Sequence, residues 1–172
     1  MSNKMVAKGI IEKILKEIPN NPELIYNEAS LQFELAFRLR GLGFIVYVEK
    51  SICDADISSG KIKSKKEAVQ KYKKERMDIC VINGDGSKNA IELKFPPKNC
   101  NKKKRCEDFL KDIEFTKNIK EKLGFKKCFC LTLVSDESLK NKFSEIAKRK
   151  GILIQWQQDK LGNDTFHYLL EQ

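Results

Sequence analysis

The chain has 172 residues, with 34 Lys plus Arg against 24 Asp plus Glu, a formal charge of +10 and 41% hydrophobic residues. At this length roughly 70% of the unfolded chain's accessible surface can be buried, so neither disulfides nor a structural metal are required to hold a fold. Ten Phe with abundant Ile and Leu exclude a disordered chain, and nine Gly with four Pro exclude collagen-like or linker-dominated ones. The expectation is one domain over residues 1–172.

Val6, Ile10, Ile11, Ile14, Leu15 and Ile18 recur at helical spacing and predict a first helix that Pro19 stops. A second helix is predicted over 27–40, ending near Gly41 or Gly43 and giving way to a β-branched and aromatic strand over 44–48. From 51 to 75 the pattern weakens to a polar excursion with one Lys-rich helix. Two strands, 77–82 and 89–95, then flank Asn83-Gly84-Asp85-Gly86, and Asn-Gly and Asp-Gly between apolar runs are the strongest short-range hairpin signals. A long helix over 105–123 carries Phe109, Ile113, Ile119 and Leu123 and closes at Gly124. The apolar run 128–134 predicts a buried central strand. Ser135 and Asp136 offer cap chemistry for a helix to Lys150 with Gly151 as its C-cap, and strands over 152–156 and 165–170 with a turn at 159–163 complete the chain. The order is ααβββαβαββ, an α/β fold with a mixed sheet flanked by helices.

The run 128–134 is too short to cross a bilayer, and the first fifteen residues mix Lys with Ile and Leu where a signal peptide needs an apolar core, so the expected compartment is the cytoplasm, without membrane contact. The six Cys, at 53, 80, 100, 106, 128 and 130, contain no C-x-x-C pair, and reduced core thiols are expected. A zinc knuckle from Cys100, Cys106, Cys128 and Cys130 is the alternative, though its spacing matches no familiar zinc motif. Positive charge concentrates at 61–76 and 98–105, which makes a polyanionic partner such as nucleic acid a candidate, with a merely solvated basic face as the even alternative. No heptad or exposed apolar stripe declares a dimer. His167, alternating with Phe166 and Tyr168, and Trp156 are assigned structural roles; with one His there is no Ser-His or Cys-His relay. No phosphate-cradling Gly-rich loop is present.

Asp78 is out of place among Met77, Ile79, Val81 and Ile82, since Asp is depleted in strands. Glu92 and Lys94, at i and i+2, share one strand face, while Ile91, Leu93 and Phe95 share the other. A hairpin bent around Asp85 sets Asp78 opposite Glu92, with Cβ atoms roughly 5 Å apart. Carboxylates that close repel unless a cation lies between them, and a divalent ion held by few carboxylates keeps exchangeable positions suited to phosphodiester chemistry. A solvent-facing, salt-bridged strand edge is the bland alternative, weakened by the apolar neighbours of all three charges.

This constellation resembles the PD-(D/E)xK nuclease superfamily, whose restriction-endonuclease-like αβββαβ core the chain matches from Asn27 to Val134. Asp78 stands for the motif's first Asp, Glu92 for its second acid and Lys94 for its Lys; Met77 stands where the motif has Pro. The closest likeness is to bacterial nuclease-like proteins with a similar Asn27-Glu28…Gln32-x-Glu34-Leu35 helix. The resemblance implies a Mg²⁺-dependent nuclease, Mn²⁺ substituting, that hydrolyses DNA, with RNA the other substrate. Asp78, Glu92 and the Leu93 carbonyl would hold the metal, and Lys94 would act on the attacking water. Two-strand cleavage would call for a homodimer. Such folds also bring an acid or amide from the first core helix to the metal. Stepping about 100° per residue from Leu31 turns Glu28 and Gln32 toward the Leu35 and Leu39 side, while Glu34 lies on the opposite flank with Arg38 at i+4, so Glu28 and Gln32 are preferred to Glu34. The rival expectation is a nucleic-acid-binding or assembly module with a vestigial site.

Overall fold

The computed structural model describes residues 5–18, 27–51, 66–67, 70, 76–95, 101–134, 136–152, 156–158 and 166–171. The elements are α1 (Lys8–Glu17), α2 (Glu28–Gly41), β1 (Ile45–Ser51), β2 (Arg76–Ile82), β3 (Lys88–Lys94), α3 (Lys102–Leu123), β4 (Lys127–Val134), α4 (Glu137–Arg149), β5 (Gln157–Gln158) and β6 (Phe166–Glu171). They build an α/β fold around a six-stranded mixed sheet of order β1-β2-β3-β4-β6-β5. β1, β2 and β3 are antiparallel, β4 is parallel to β3, and β6 is antiparallel to β4 and β5. Because the parallel β3–β4 step needs a crossover, α3 lies across one face.

Strand alternation separates two cores. Ile79, Val81, Ile91, Leu93, Phe129, Leu131 and Leu133 face α1 and α2, where Ile11, Leu15, Leu31, Leu35 and Leu39 close over them. On the other face Ala90, Cys128, Cys130 and Val134 pack against α3 and α4 through Phe115, Ile119, Phe109 and Phe143. Met77 breaks the pattern: it joins the α3-side core, although Ile79, two residues on, joins the other. β2 is therefore irregular at Asp78.

Local chemistry sets the helix ends that matter for the site. Asn27 accepts from Ser30 N at 2.8 Å and its own amide donates to Ser30 Oγ at 3.1 Å, a capping box that fixes the first turn of α2. α3 starts three residues before the predicted position because Asn101 caps it, accepting from Lys104 N at 3.1 Å. Asp136 caps α4 as expected, but the C-cap is Lys150, followed by Gly151 at φ +72°. The strand expected over 152–156 does not include Ile152 or Trp156; the strand there is Gln157–Gln158. Instead the Trp156 indole donates to Ser144 Oγ at 2.7 Å and packs near Phe143, anchoring the chain on α4. The excursion expected at 51–75 falls almost wholly outside the described residues, as does the 159–163 turn.

α2 also carries a feature that its sequence pattern did not announce. Phe33 and Phe37, one turn apart, are 66% and 73% exposed, so an apolar pair does stand on the surface. Among the described residues no helix is long and apolar enough to cross a membrane. Cys80, Cys106, Cys128 and Cys130 are buried and form no disulfide with one another; Cys53 and Cys100 lie outside the described residues.

Candidate functional site

The β2–β3 ladder runs from Ile82↔Lys88 to Ile79↔Ile91 and ends there, one step short of Asp78 and Glu92. Beyond it the two carboxylates take over bonds that the backbone would otherwise make. Asp78 Oδ2 accepts from Leu93 N at 2.7 Å, and Glu92 Oε1 accepts from Asp78 N at 3.2 Å. The predicted opposition of Asp78 and Glu92 is thus present, at the open end of the hairpin. Glu92 is fully buried and Asp78 half-buried.

Gln32 reaches this pair from α2. Its amide donates to the Asp78 carbonyl at 2.8 Å and to Glu49 Oε1 at 3.0 Å, bridging β2 and β1. Glu49 holds a left-handed φ of +52°, the one such non-glycine residue among those described, a conformation that costs about 1 kcal/mol or more for a side chain of this kind. Glu28 arrives from the capped first turn of the same helix, but it does not join Asp78 and Glu92. It accepts from Phe95 N at 3.0 Å and lies 3.9 Å from Lys94 Nζ. Glu34 instead pairs with Arg38 at 2.6 Å, on the flank where helix phase set it.

Lys94 shares its strand face with Glu92, yet its ammonium turns to α3, 2.9 Å from Asp112 Oδ2. Asp112 and Glu49 are site residues that sequence reasoning passed over. Asp112 had a readable signal: it stands three residues after Phe109 and beside Ile113, on the stripe of α3 that packs inward, where a carboxylate needs a partner. Glu49 had none, since a polar residue at the end of a strand reads as ordinary surface. Leu93 is fixed at the site through its amide.

Acidic groups therefore string along the strand ends without converging on one point. Among the described residues no group of three or more His, Cys, Asp or Glu side chains is placed to hold a metal ion. What the site does offer a cation is one pair of carboxylates, a hard all-oxygen donor set of the kind that Mg²⁺ accepts while keeping most of its own waters. Positive charge also stands on α3. Lys103 and Lys104 are exposed in its first turn, about 12 Å along the helix from Asp112, while Lys102 and Arg105 are engaged by Asp136 and Asp108. The 61–74 basic stretch and residues 98–100 fall outside the described residues, apart from Lys66, Glu67 and Gln70.

Burial pushes the Cys128 thiol up to about 12 and the Cys80 thiol up to about 11, so both are neutral at physiological pH. They flank Ala90 in one row across β2, β3 and β4 and act as small apolar residues. The alternative zinc knuckle of Cys100, Cys106, Cys128 and Cys130 would need the Cys128 sulfur ionised, and Cys106 and Cys130 are packed into the α3–α4 core, while Cys100 lies outside the described residues. Comparison of the chain with protein families, with curated proteins and with solved structures finds no match in any of the three.

Proposed function

We infer that the protein is a Mg²⁺-dependent nuclease that hydrolyses phosphodiester bonds of DNA, on a restriction-endonuclease-like core of the PD-(D/E)xK kind. The observation that carries this reading is the meeting of Asp78 and Glu92 at the open hairpin end, each fixed by a backbone amide, with Lys94 on the same strand face. The order α2-β1-β2-β3-α3-β4, with an antiparallel β1-β2-β3 meander and β4 parallel to β3, supports the core assignment.

Asp78 and Glu92, with the Leu93 carbonyl, would hold the ion, and Mn²⁺ would substitute for Mg²⁺. When bound, the ion supplies Lewis-acid charge at the scissile phosphate. The chain's own groups do the rest. Gln32 locks β2 to α2 through the Asp78 carbonyl and so keeps the Asp78 carboxylate in place. Lys94 presents a positive charge that orients the attacking water and a phosphate oxygen. Lys103 and Lys104 contact flanking phosphates, which makes affinity salt-sensitive and largely independent of sequence.

The deciding assay is plasmid nicking with Mg²⁺ by the wild-type protein, Asp78→Ala and Lys94→Ala. Loss of cleavage in both variants, with folding and DNA retention kept, is the expected result; undiminished cleavage by either would overturn the assignment. A second reading, a nucleic-acid-binding module with a vestigial site, is favoured by one observation: α2 brings the Gln32 amide and not a third carboxylate to Asp78 and Glu92. Wild-type protein that retains DNA but takes up no Mn²⁺ in a calorimetric titration would select it.

A further inference from the structure

The placement of Asp112 goes beyond the three-residue motif. Asp112 lies midway along α3, on the helix that crosses from β3 to β4, and no resemblance assigns it a part. Its side chain is 8% exposed and that of Lys94 13%, and their charged atoms are 2.9 Å apart. A carboxylate on the inward stripe of a helix, among Phe109, Ile113 and Thr116, is costly unless its charge is answered. Lys94 answers it. The neighbouring strand does not compete for the ammonium: Thr132, opposite Lys94 in β4, is fully buried, and its hydroxyl makes no hydrogen bond among the described residues.

From the other side Glu28 stands 3.9 Å away and is also bonded to the Phe95 amide, so the ammonium lies between an acid of α3 and an acid of α2. A lysine on a four-carbon stem has three rotatable donors and does not hold one position unaided. Here it is held from both sides.

We propose that Asp112 is a positioning residue: by pairing with Lys94 it fixes where the ammonium stands at the end of β3, so that Lys94 works as a stationary positive charge. The proposal rests on the nuclease reading for its catalytic consequence, but the hold itself can be measured without cleavage. Two readouts test it on the full chain. The first is steady-state cleavage of plasmid DNA with Mg²⁺ by the wild-type protein, Asp112→Asn and Asp112→Glu. Asp112→Asn lowers kcat by about a hundredfold, the cost of roughly 1 Å of misplacement, while KM stays nearly constant because no phosphate contact is lost. Asp112→Glu, which restores the charge, falls between the two.

The second readout is the acetylation rate of the Lys94 amine with an N-hydroxysuccinimide ester, followed by peptide mass spectrometry, with Lys126 as internal reference because its partner Asp85 is untouched. Lys94 reacts severalfold faster in Asp112→Asn than in the wild type, and Lys126 equally in both. Should Asp112→Asn fail to fold, Asp112→Glu carries both readouts, with kcat lowered at constant KM. Equal kcat and equal Lys94 labelling in the variants would overturn the proposal, as would a rise in kcat, which would make the ion pair a latch. A wild-type protein that never cleaves, yet whose Lys94 is released by Asp112→Asn, would sink the nuclease reading and leave the hold standing.

Discussion

The two ends of the β2–β3 hairpin face the same problem and solve it with opposite chemistry. Both bury polar side chains where the ladder stops. At the turn, Asn83 and Asn89 do it with neutral amides: Asn89 Nδ2 donates to Asn83 Oδ1 at 3.1 Å, Asn83 Oδ1 also accepts from Val6 N at 3.0 Å, and Asn89 Oδ1 accepts from Lys127 N at 3.0 Å. That network ties the segment before α1 and the start of β4 to the hairpin, and every bond joins neutral dipoles. At the open end, Asp78 and Glu92 accept backbone amides just as an Asn and a Gln could, yet both are ionisable acids brought together in a part-buried place. Both ends need acceptors, and only the open end supplies them with ionisable groups; two acids meeting where amides would serve is what motivates the proposed cation site.

The sharpest way to break that comparison is to make the open end neutral. Asp78→Asn and Glu92→Gln each keep an oxygen for the amide they bind, so thermal stability holds or rises. Cleavage of plasmid DNA falls by about a thousandfold, the equivalent of about 4 kcal/mol of lost transition-state stabilisation. Unfolding of either variant would show that the carboxylates are structural.

The converse change charges the turn. In Asn89→Asp the donor to Asn83 Oδ1 and to the Val6 carbonyl becomes an anion facing two acceptors. Urea denaturation should show a loss of about 3 kcal/mol. Asn89→Asp protein that still folds should cleave DNA like the wild type, because the turn lies at the far end of the strands.

Between the two ends lies the neutral row of Cys80, Ala90 and Cys128, and pH probes it. The unfolded thiols ionise near pH 9, whereas burial raises them to about 11 and about 12 in the folded chain. Above pH 9 the unfolded state therefore binds fewer protons than the native one, and stability falls as pH rises. The loss begins near pH 9, ends near pH 12 and reaches at most about 1.4 kcal/mol per pH unit for each thiol. Chemical denaturation at pH 8, 9 and 10 reads it, and Cys128→Ala flattens the slope by half.

Much of this was legible in the chain because periodicity and turn chemistry acted alone. Asn83-Gly84-Asp85-Gly86 fixed the hairpin, the hairpin fixed Asp78 opposite Glu92, and the Leu31, Leu35, Leu39 stripe turned Gln32 inward. The failures occurred where tertiary contacts decided. Glu28, expected to face the site from its helix phase, meets the Phe95 amide and Lys94 at the end of β3. Glu49 depends on a backbone twist that no local pattern encodes, and Asp112, readable as an inward acid of α3, meets Lys94 only through the crossover. Of the strand expected over 152–156, Ile152 and Trp156 lie outside any strand, and the Trp156 indole is bonded to Ser144 on α4.

Whether Asp78 and Glu92 together hold a divalent ion can be seen in a crystal of the wild-type protein soaked in Mn²⁺ and recorded at the manganese absorption edge. An anomalous peak within coordination distance of both Asp78 and Glu92, absent from Asp78→Asn crystals, is the result this account predicts. A soaked crystal with no peak there, and both carboxylates bound only to the amides of Leu93 and Asp78, would contradict it.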